Sequence, residues 1–231
     1  MKTPNQLILG VGLKDEATFS NFFLGKNIQL VTALKNAAQG EGERVIYFYG
    51  TNGQGCTHLL QACCHAAQQA KKSAVYLPLN HYTEFSPEIF EGLESLNLVC
   101  VDDVHCIVGK SDWEEALFHI YNRIQDKGGR LIATANVAPK ALEGMPDMIS
   151  RLAWGIVFQL QPLSDAEKLE AIIMRAERRG IMLSEEVGKF ILTHCPRHMS
   201  TLFAVLEVLD KMSLAAQRKL TIPFVKEILQ I

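Results

Sequence analysis

The sequence has almost no excess of either charge. Its 23 Lys and Arg against 25 Asp and Glu leave a formal net charge of -2. It has no basic tail and no long run of one sign, so the chain as a whole is not expected to attract nucleic acid strongly. A DNA-binding transcription regulator, which needs a basic reading element, is disfavoured on the same ground. There is no apolar run of about 18 residues, which excludes a helical membrane span. Met1, Lys2, Thr3, Pro4, Asn5 and Gln6 are polar and lead into only a short apolar stretch, so no secretion signal is expected. None of the six cysteines, Cys56, Cys63, Cys64, Cys100, Cys106 and Cys195, forms a CxxC pair. Most sit in apolar segments and read as reduced thiols of a cytosolic protein rather than as disulfides or zinc ligands. His194-Cys195-Pro196-Arg197-His198 offers soft ligands, but no second cluster completes a set of four and Pro196 interrupts the helix. A corner between helices is favoured there over a metal site. Internal repeats and low-complexity tracts are absent.

What is present is a chain of 231 residues, 48% hydrophobic, enough for one sizeable core and a smaller satellite core. Five short apolar runs read as buried strands: Val45–Tyr49, Ala74–Leu77, Leu96–Val101, Leu131–Ala135 and Ile156–Leu160. Their lack of polar alternation predicts strands covered on both faces, as in a parallel sheet. Helical spacing follows the first strand (Leu59, Cys63, Ala66, Ala70) and the third (Trp113, Leu117, Ile120, Tyr121, Ile124). Strands alternating with helices of this length predict an α/β domain. After Pro162 the pattern changes. Ser164-Asp165-Ala166-Glu167 is a capping box opening a helix with Leu169, Ile172, Ile173 and Ala176 inward, stopping at Gly180. Further helices follow Ser184 (Val187, Phe190, Ile191), contain Leu202, Phe203, Leu206 and Leu209, and start near Thr221 (Phe224, Val225, Ile228, Leu229). Residues 161–231 thus read as a small all-helical domain.

Gly50-Thr51-Asn52-Gly53-Gln54-Gly55-Cys56-Thr57 follows the first strand and opens a helix. It fits the phosphate-loop pattern G-x-x-x-x-G-K-[ST] except that Cys56 stands in the lysine position. Gly50, Gly53 and Gly55 let the backbone curl its N–H groups around an anion at a helix N-terminus, and the Thr57 hydroxyl is placed to ligate Mg²⁺. A glycine-rich turn with no ligand is the alternative; the strand-loop-helix context favours nucleotide binding. A thiol cannot supply the lysine's charge, so a triphosphate loses a contact of roughly 1.5–3 kcal/mol. The expected occupant is a diphosphate in preference to a triphosphate, turned over slowly or not at all.

Leu98-Val99-Cys100-Val101-Asp102-Asp103 is an apolar strand ending in two carboxylates. Asp102 is expected to hold Mg²⁺ with Thr57, and Asp103 to sit where a base polarises the attacking water. The alternative is a pair of loop carboxylates capping the next segment. Asn136, ending the fourth strand, could hydrogen-bond a water near a γ-phosphate, a weak signal taken alone. Arg151 lies in the apolar stretch Met148–Leu152. Either it pairs with a carboxylate of its own chain or it projects into a neighbouring subunit's phosphate site.

In this order, phosphate loop, apolar strand with two Asp, polar strand end, Ser-Arg-Leu box and helical lid, the chain resembles AAA+ ATPases of the DnaA family. Thr18-Phe19-Ser20-Asn21-Phe22-Phe23-Leu24-Gly25 is similar to the family's T-F-x-N-F-x-x-G, and Ser150-Arg151-Leu152-Ala153-Trp154-Gly155 to its S-R-F-x-W-G. The matches run over residues 15–231. The resemblance implies a five-stranded parallel α/β nucleotide-binding domain at 15–160 and a helical lid at 161–231. It implies an adenine nucleotide, expected to be ADP rather than ATP because Cys56 replaces the lysine, with Mg²⁺ at Thr57 and Asp102. The nucleotide-binding residues implied are Phe22, Phe23 and Leu24 at the base; Asn52, Gly53, Gln54, Gly55, Cys56, Thr57 and His58; Asp102, Asp103 and Asn136; and Arg197 and Ser200 in the lid. Ser200 stands where the family carries a sensor arginine, so a second cationic phosphate contact is missing. Arg151 corresponds to the arginine finger that acts in trans.

Gln6-Leu7-Ile8-Leu9-Gly10-Val11 is similar to a sliding-clamp binding motif. Residues 1–14 are therefore expected to be a flexible segment whose Gln6, Leu7, Leu9 and Val11 fill a groove of the DNA polymerase III sliding clamp (beta subunit). No DNA-reading domain is expected after Ile231. The implied role is negative regulation of replication initiation: at the DNA-loaded clamp the chain stimulates hydrolysis of DnaA-bound ATP, while having no robust ATPase of its own. A helicase-loader-like or independent ATPase is the alternative, disfavoured by the missing lysine. A homodimer or head-to-tail oligomer, and a place in the cytoplasm at the nucleoid or replisome, complete the expectation.

Overall fold

β1 (Val45–Tyr49), β2 (Ala74–Pro78), β3 (Leu98–Asp102), β4 (Arg130–Ala135) and β5 (Ile156–Gln159) form one five-stranded sheet in the order β2-β3-β4-β1-β5. Every pairing is parallel, as the unbroken apolar runs require. The structure, a computed structural model, describes residues 13, 14 and 16–231. Alternate side chains of each central strand enter opposite layers. Tyr47, Val99, Val101, Leu131 and Ala133 face one core; Ile46, Phe48, Leu98, Cys100 and Ile132 face the other.

Helices α1 (Ile28–Gln39) and α2 (Cys56–Gln69) cover the second core, and α3 (Ser111–Asp126) and α4 (Pro146–Trp154) the first. The face predicted for α3 is the buried one: Trp113, Leu117, Ile120, Tyr121 and Ile124. In α2, Leu59 and Cys63 are buried, but the helix ends at Gln69 and Ala70 is exposed. β5 also departs from the expected burial on both faces. It pairs with β1 alone at the sheet edge, and Ile156 and Val157 remain 37% and 40% exposed. The entry to β5 needs Gly155, because a Cβ there would lie 2.1 Å from the Val45 carbonyl oxygen.

The chain divides into two compact units, one of residues up to Thr51 with Cys56–Leu160, the other of Asn52–Gly55 with Gln161–Ile231. The second holds α5 (Asp165–Arg178), α6 (Glu185–His194), α7 (Met199–Ala216) and α8 (Ile222–Leu229). Ser164 and Glu167 make the capping box reciprocally, and Ser184 and Thr221 cap α6 and α8 through their hydroxyls; each such cap contributes about 1 kcal/mol. Ile172, Ala176, Val187, Ile191, Leu202, Leu206, Leu209, Phe224 and Val225 form its separate core. Among the described residues no helix is long and apolar enough to cross a membrane.

Candidate nucleotide site and arginine face

A parallel sheet places all its strand C-termini at one end, and ligands of such sheets bind there, where neighbouring connections diverge. The loop after β1, the carboxylates closing β3 and Asn136 after β4 therefore share that end of the sheet. In the loop, Gly53 and Gly55 have φ of 81° and 111°, the left-handed region in which a side chain is strained. Cys56 opens α2, so the loop delivers backbone N–H groups to a helix N-terminus.

Asp102 is the hub of the site. It is 1% exposed and accepts from the Thr57 hydroxyl at 2.7 Å and the Tyr76 hydroxyl at 2.8 Å, both on Oδ2. Thr134 donates to Oδ1 and accepts from the Asp103 N–H at 3.2 Å. Hydrogen bonds to a charged acceptor contribute about 1.5–3 kcal/mol each, which offsets the cost of burying this carboxylate. Sheet register explains the convergence. Tyr76 lies opposite Cys100, so Asp102, two residues on, is its diagonal neighbour on the same face; Thr134 follows Ala133, which pairs with Val101. Tyr76 and Thr134 were not expected as site residues, because within apolar strand runs they read as core.

Asp103 has φ 56°, an uncommon conformation for a non-glycine residue and one often found at functional sites. Burial, then the Asp102 charge beside it, pushes its carboxyl up to about 6. Among the described residues no Lys or Arg forms an ion pair with either aspartate. Cys56 does not relieve them. Its thiol is pushed up to about 12 by burial first and then by Asp102 and Asp103, so it is neutral at pH 7. The Tyr76 hydroxyl is also held well above its usual range, by burial and Asp102.

The remaining expected residues fall in several places. Phe22 and Phe23 are half-buried and Leu24 is 39% exposed. The Phe22 ring lies 5.7 Å from the His58 ring, whose Nε2 is 2.9 Å from the Thr18 carbonyl oxygen, so the Thr18–Leu24 segment is tied to the first turns of α2. Asn52 and Asn136 are exposed and Gln54 is half-buried. Within the second unit, a Cβ on Gly53 would come 3.3 Å from Ser200 Oγ and 3.4 Å from His198 Cβ, so Ser200 stands beside the loop tip. Arg197 is engaged with Asp165 at 2.6 Å. Gln6, Leu7, Leu9 and Val11 lie outside the described residues.

Arg151 is half-buried on α4 and, among the described residues, forms no salt bridge. Its guanidinium carbon lies 4.9 Å from the Trp154 ring centroid and 5.9 Å from those of Phe118 and Tyr121. Of the two alternatives open for this residue, the pairing with a carboxylate of its own chain is not found among the described residues.

The sheet order, the loop at the helix N-terminus and the hydroxyl-bound Asp102 are those of an AAA+ fold, an α/β domain followed by a helical lid domain. The chain belongs to the DnaA family. The family model described as the bacterial DnaA ATPase domain matches residues 13–159, and the one described as "Hda, lid domain" matches 165–229. Domain III of the Thermotoga maritima replication initiation protein DnaA superposes with TM-score 0.82 at 22% identity, over 95% of this chain and 98% of that one. AMPPCP-bound DnaA from Aquifex aeolicus gives 0.74 at 23% identity, over 88% of this chain and 67% of that one. The Thermotoga maritima Holliday junction branch migration motor RuvB gives 0.66 at 15% identity, over 87% and 66%. At these identities the structural likenesses show the fold.

Proposed function

We propose that the chain is a Hda-type negative regulator of replication initiation, which lends Arg151 to the nucleotide site of ATP-bound DnaA and so accelerates hydrolysis there. The observation that carries this is an imbalance of charge. Among the described residues Arg151, half-buried on α4, forms no ion pair, and the chain's own Asp102 and Asp103 have no cationic partner. An arginine supplied in trans stabilises the charge of the phosphoryl-transfer transition state and is worth about 10³–10⁵ in rate. The match to the Hda lid family supports the choice of regulator over initiator.

In this reading residues 15–160 hold an adenine nucleotide, ADP in preference to ATP, and residues 161–231 are the helical lid domain. AMPPCP in the Aquifex aeolicus relative supports the adenine assignment. Thr57 and Asp102 bind Mg²⁺ through that nucleotide, and Asn136 faces its phosphates. The chain's own turnover is slow because Cys56 brings no charge. Residues 1–14 dock on the DNA-loaded sliding clamp through Gln6, Leu7, Leu9 and Val11. DnaA is met head to tail, a heterologous contact that also permits self-association. The setting is cytoplasmic, at the replisome.

The test is phosphate release from ATP-loaded DnaA with DNA-loaded clamp, comparing wild type, Arg151→Ala and Gln6→Ala. Arg151→Ala is expected to cut the stimulated rate by about 10³ or more. Gln6→Ala is expected to raise the concentration needed for half-stimulation. Full stimulation by Arg151→Ala would remove the proposed role.

A further inference from the structure

Trp154 is 71% exposed, the most exposed aromatic among the large hydrophobic residues on the surface, and the core does not explain its place. It is the last residue of α4, three positions after Arg151, so the two share one helix face. Its ring is the nearest of the aromatic faces around that guanidinium, 4.9 Å against 5.9 Å for Phe118 and Tyr121. Phe118 and Tyr121 are themselves three apart on α3, which packs against α4. The exit of α4 is fixed from below. Gly155 runs so close to Val45 that any side chain there would collide with the Val45 carbonyl, so β5 starts in one place and Trp154 is held with it. From above, Glu114, 6% exposed, accepts the Met145 N–H at 3.0 Å and the Gly109 N–H at 3.2 Å, which fixes the entry to α4.

We propose that Trp154 is a positioning residue for Arg151: its ring face holds the guanidinium in an extended, charge-bearing pose ready for a phosphate on the partner. The inference rests on the reading in which Arg151 acts in trans. The chemistry favours an aromatic holder over a carboxylate. An ion pair would fix the side chain equally well but would cancel much of its field and would have to break before the arginine could engage phosphate. A ring quadrupole attracts the cation without neutralising it, and the planar guanidinium keeps its N–H edge free while its face is stacked. Exposure of Trp154 keeps that edge at the surface.

Trp154→Ala, Trp154→Leu and Trp154→Phe are compared with wild type and Arg151→Ala in the DnaA–clamp assay, with maximal rate and half-saturating concentration measured separately. Trp154→Ala and Trp154→Leu are expected to lower the maximal rate about three- to tenfold and to change half-saturation less than twofold, with Trp154→Phe restoring most of the rate. In the free protein, the Arg151 side-chain Nε–H and δ-methylene resonances are expected to carry a ring-current shift that Trp154→Ala reduces markedly, the more distant Phe118 and Tyr121 rings leaving the remainder. If Trp154→Leu performs as wild type, or if the loss lies wholly in half-saturation, Trp154 is an ordinary docking contact and the proposal is overturned. If instead Arg151→Ala stimulates fully, the finger reading fails, a result told apart from failure of the Trp154 role by whether Trp154→Ala reduces the ring-current shift.

Discussion

The replacement Cys56→Lys asks whether one missing charge holds this nucleotide site down. The thiol lies at the first position of α2, pushed up to about 12 by burial and by Asp102 and Asp103. At pH 7 its thiolate fraction is therefore on the order of 10⁻⁵, and it brings a phosphate neither charge nor a strong donor. An ammonium at the same position gains a charge-assisted hydrogen bond to phosphate of about 1.5–3 kcal/mol, or about ten- to hundredfold in Kd. Its desolvation is offset by the adjacent aspartates, and its charge draws the Asp103 carboxyl down from about 6. Because that lysine reaches the β- and γ-phosphates, ATP is expected to gain more than ADP. Labelled ATP and ADP are titrated into wild type, Cys56→Lys and the neutral Cys56→Met at fixed Mg²⁺, followed by fluorescence anisotropy. Tightening of ATP at least tenfold by Cys56→Lys and not by Cys56→Met is the expected result. An equal gain from Cys56→Met would make the effect one of shape, and no gain from Cys56→Lys would refute the charge reasoning.

Two predictions concern stability. Asp103 is raised from 3.8 to about 6, so folding favours its protonated form. That contribution is full below about pH 3.8, falls as pH rises through 6, and leaves the ionised side chain costing on the order of 1–3 kcal/mol above it. Asp103→Asn removes this dependence, so its stability relative to wild type should climb between pH 4 and 6 and level off above 7; urea midpoints across that range that show a constant difference would contradict the assignment. Gly155→Ala places a methyl group 2.1 Å from the Val45 carbonyl oxygen. It is expected to cost about 2–4 kcal/mol by urea unfolding and to raise amide exchange in β5, and a near-neutral effect would show that this crossing is not tight.

The features that rest on neighbours in sequence are legible along the chain itself. The loop Gly50–Thr57, the acidic end of β3, the capping box at Ser164 and the periodic burial of α3 each depend on residues within a few positions of one another, where backbone conformation and helix or strand period act directly. Thr57 and Asp102 could be paired in advance because a motif relates them. What required the tertiary structure was the company these groups keep. That Tyr76 and Thr134 join Thr57 on one carboxylate follows from β2 and β4 flanking β3, an order no local pattern specifies. That Ile156 and Val157 stay half in solvent follows from β5 having a neighbour on one side only. Whether Arg151 pairs with a carboxylate of its own chain was open in the sequence, and its aromatic surroundings were not legible there, because they belong to the packing of α3 on α4. Short-range sterics and hydrophobic period are written along the chain, whereas the field at a buried charge is set by whichever distant segments the sheet and its helices bring beside it.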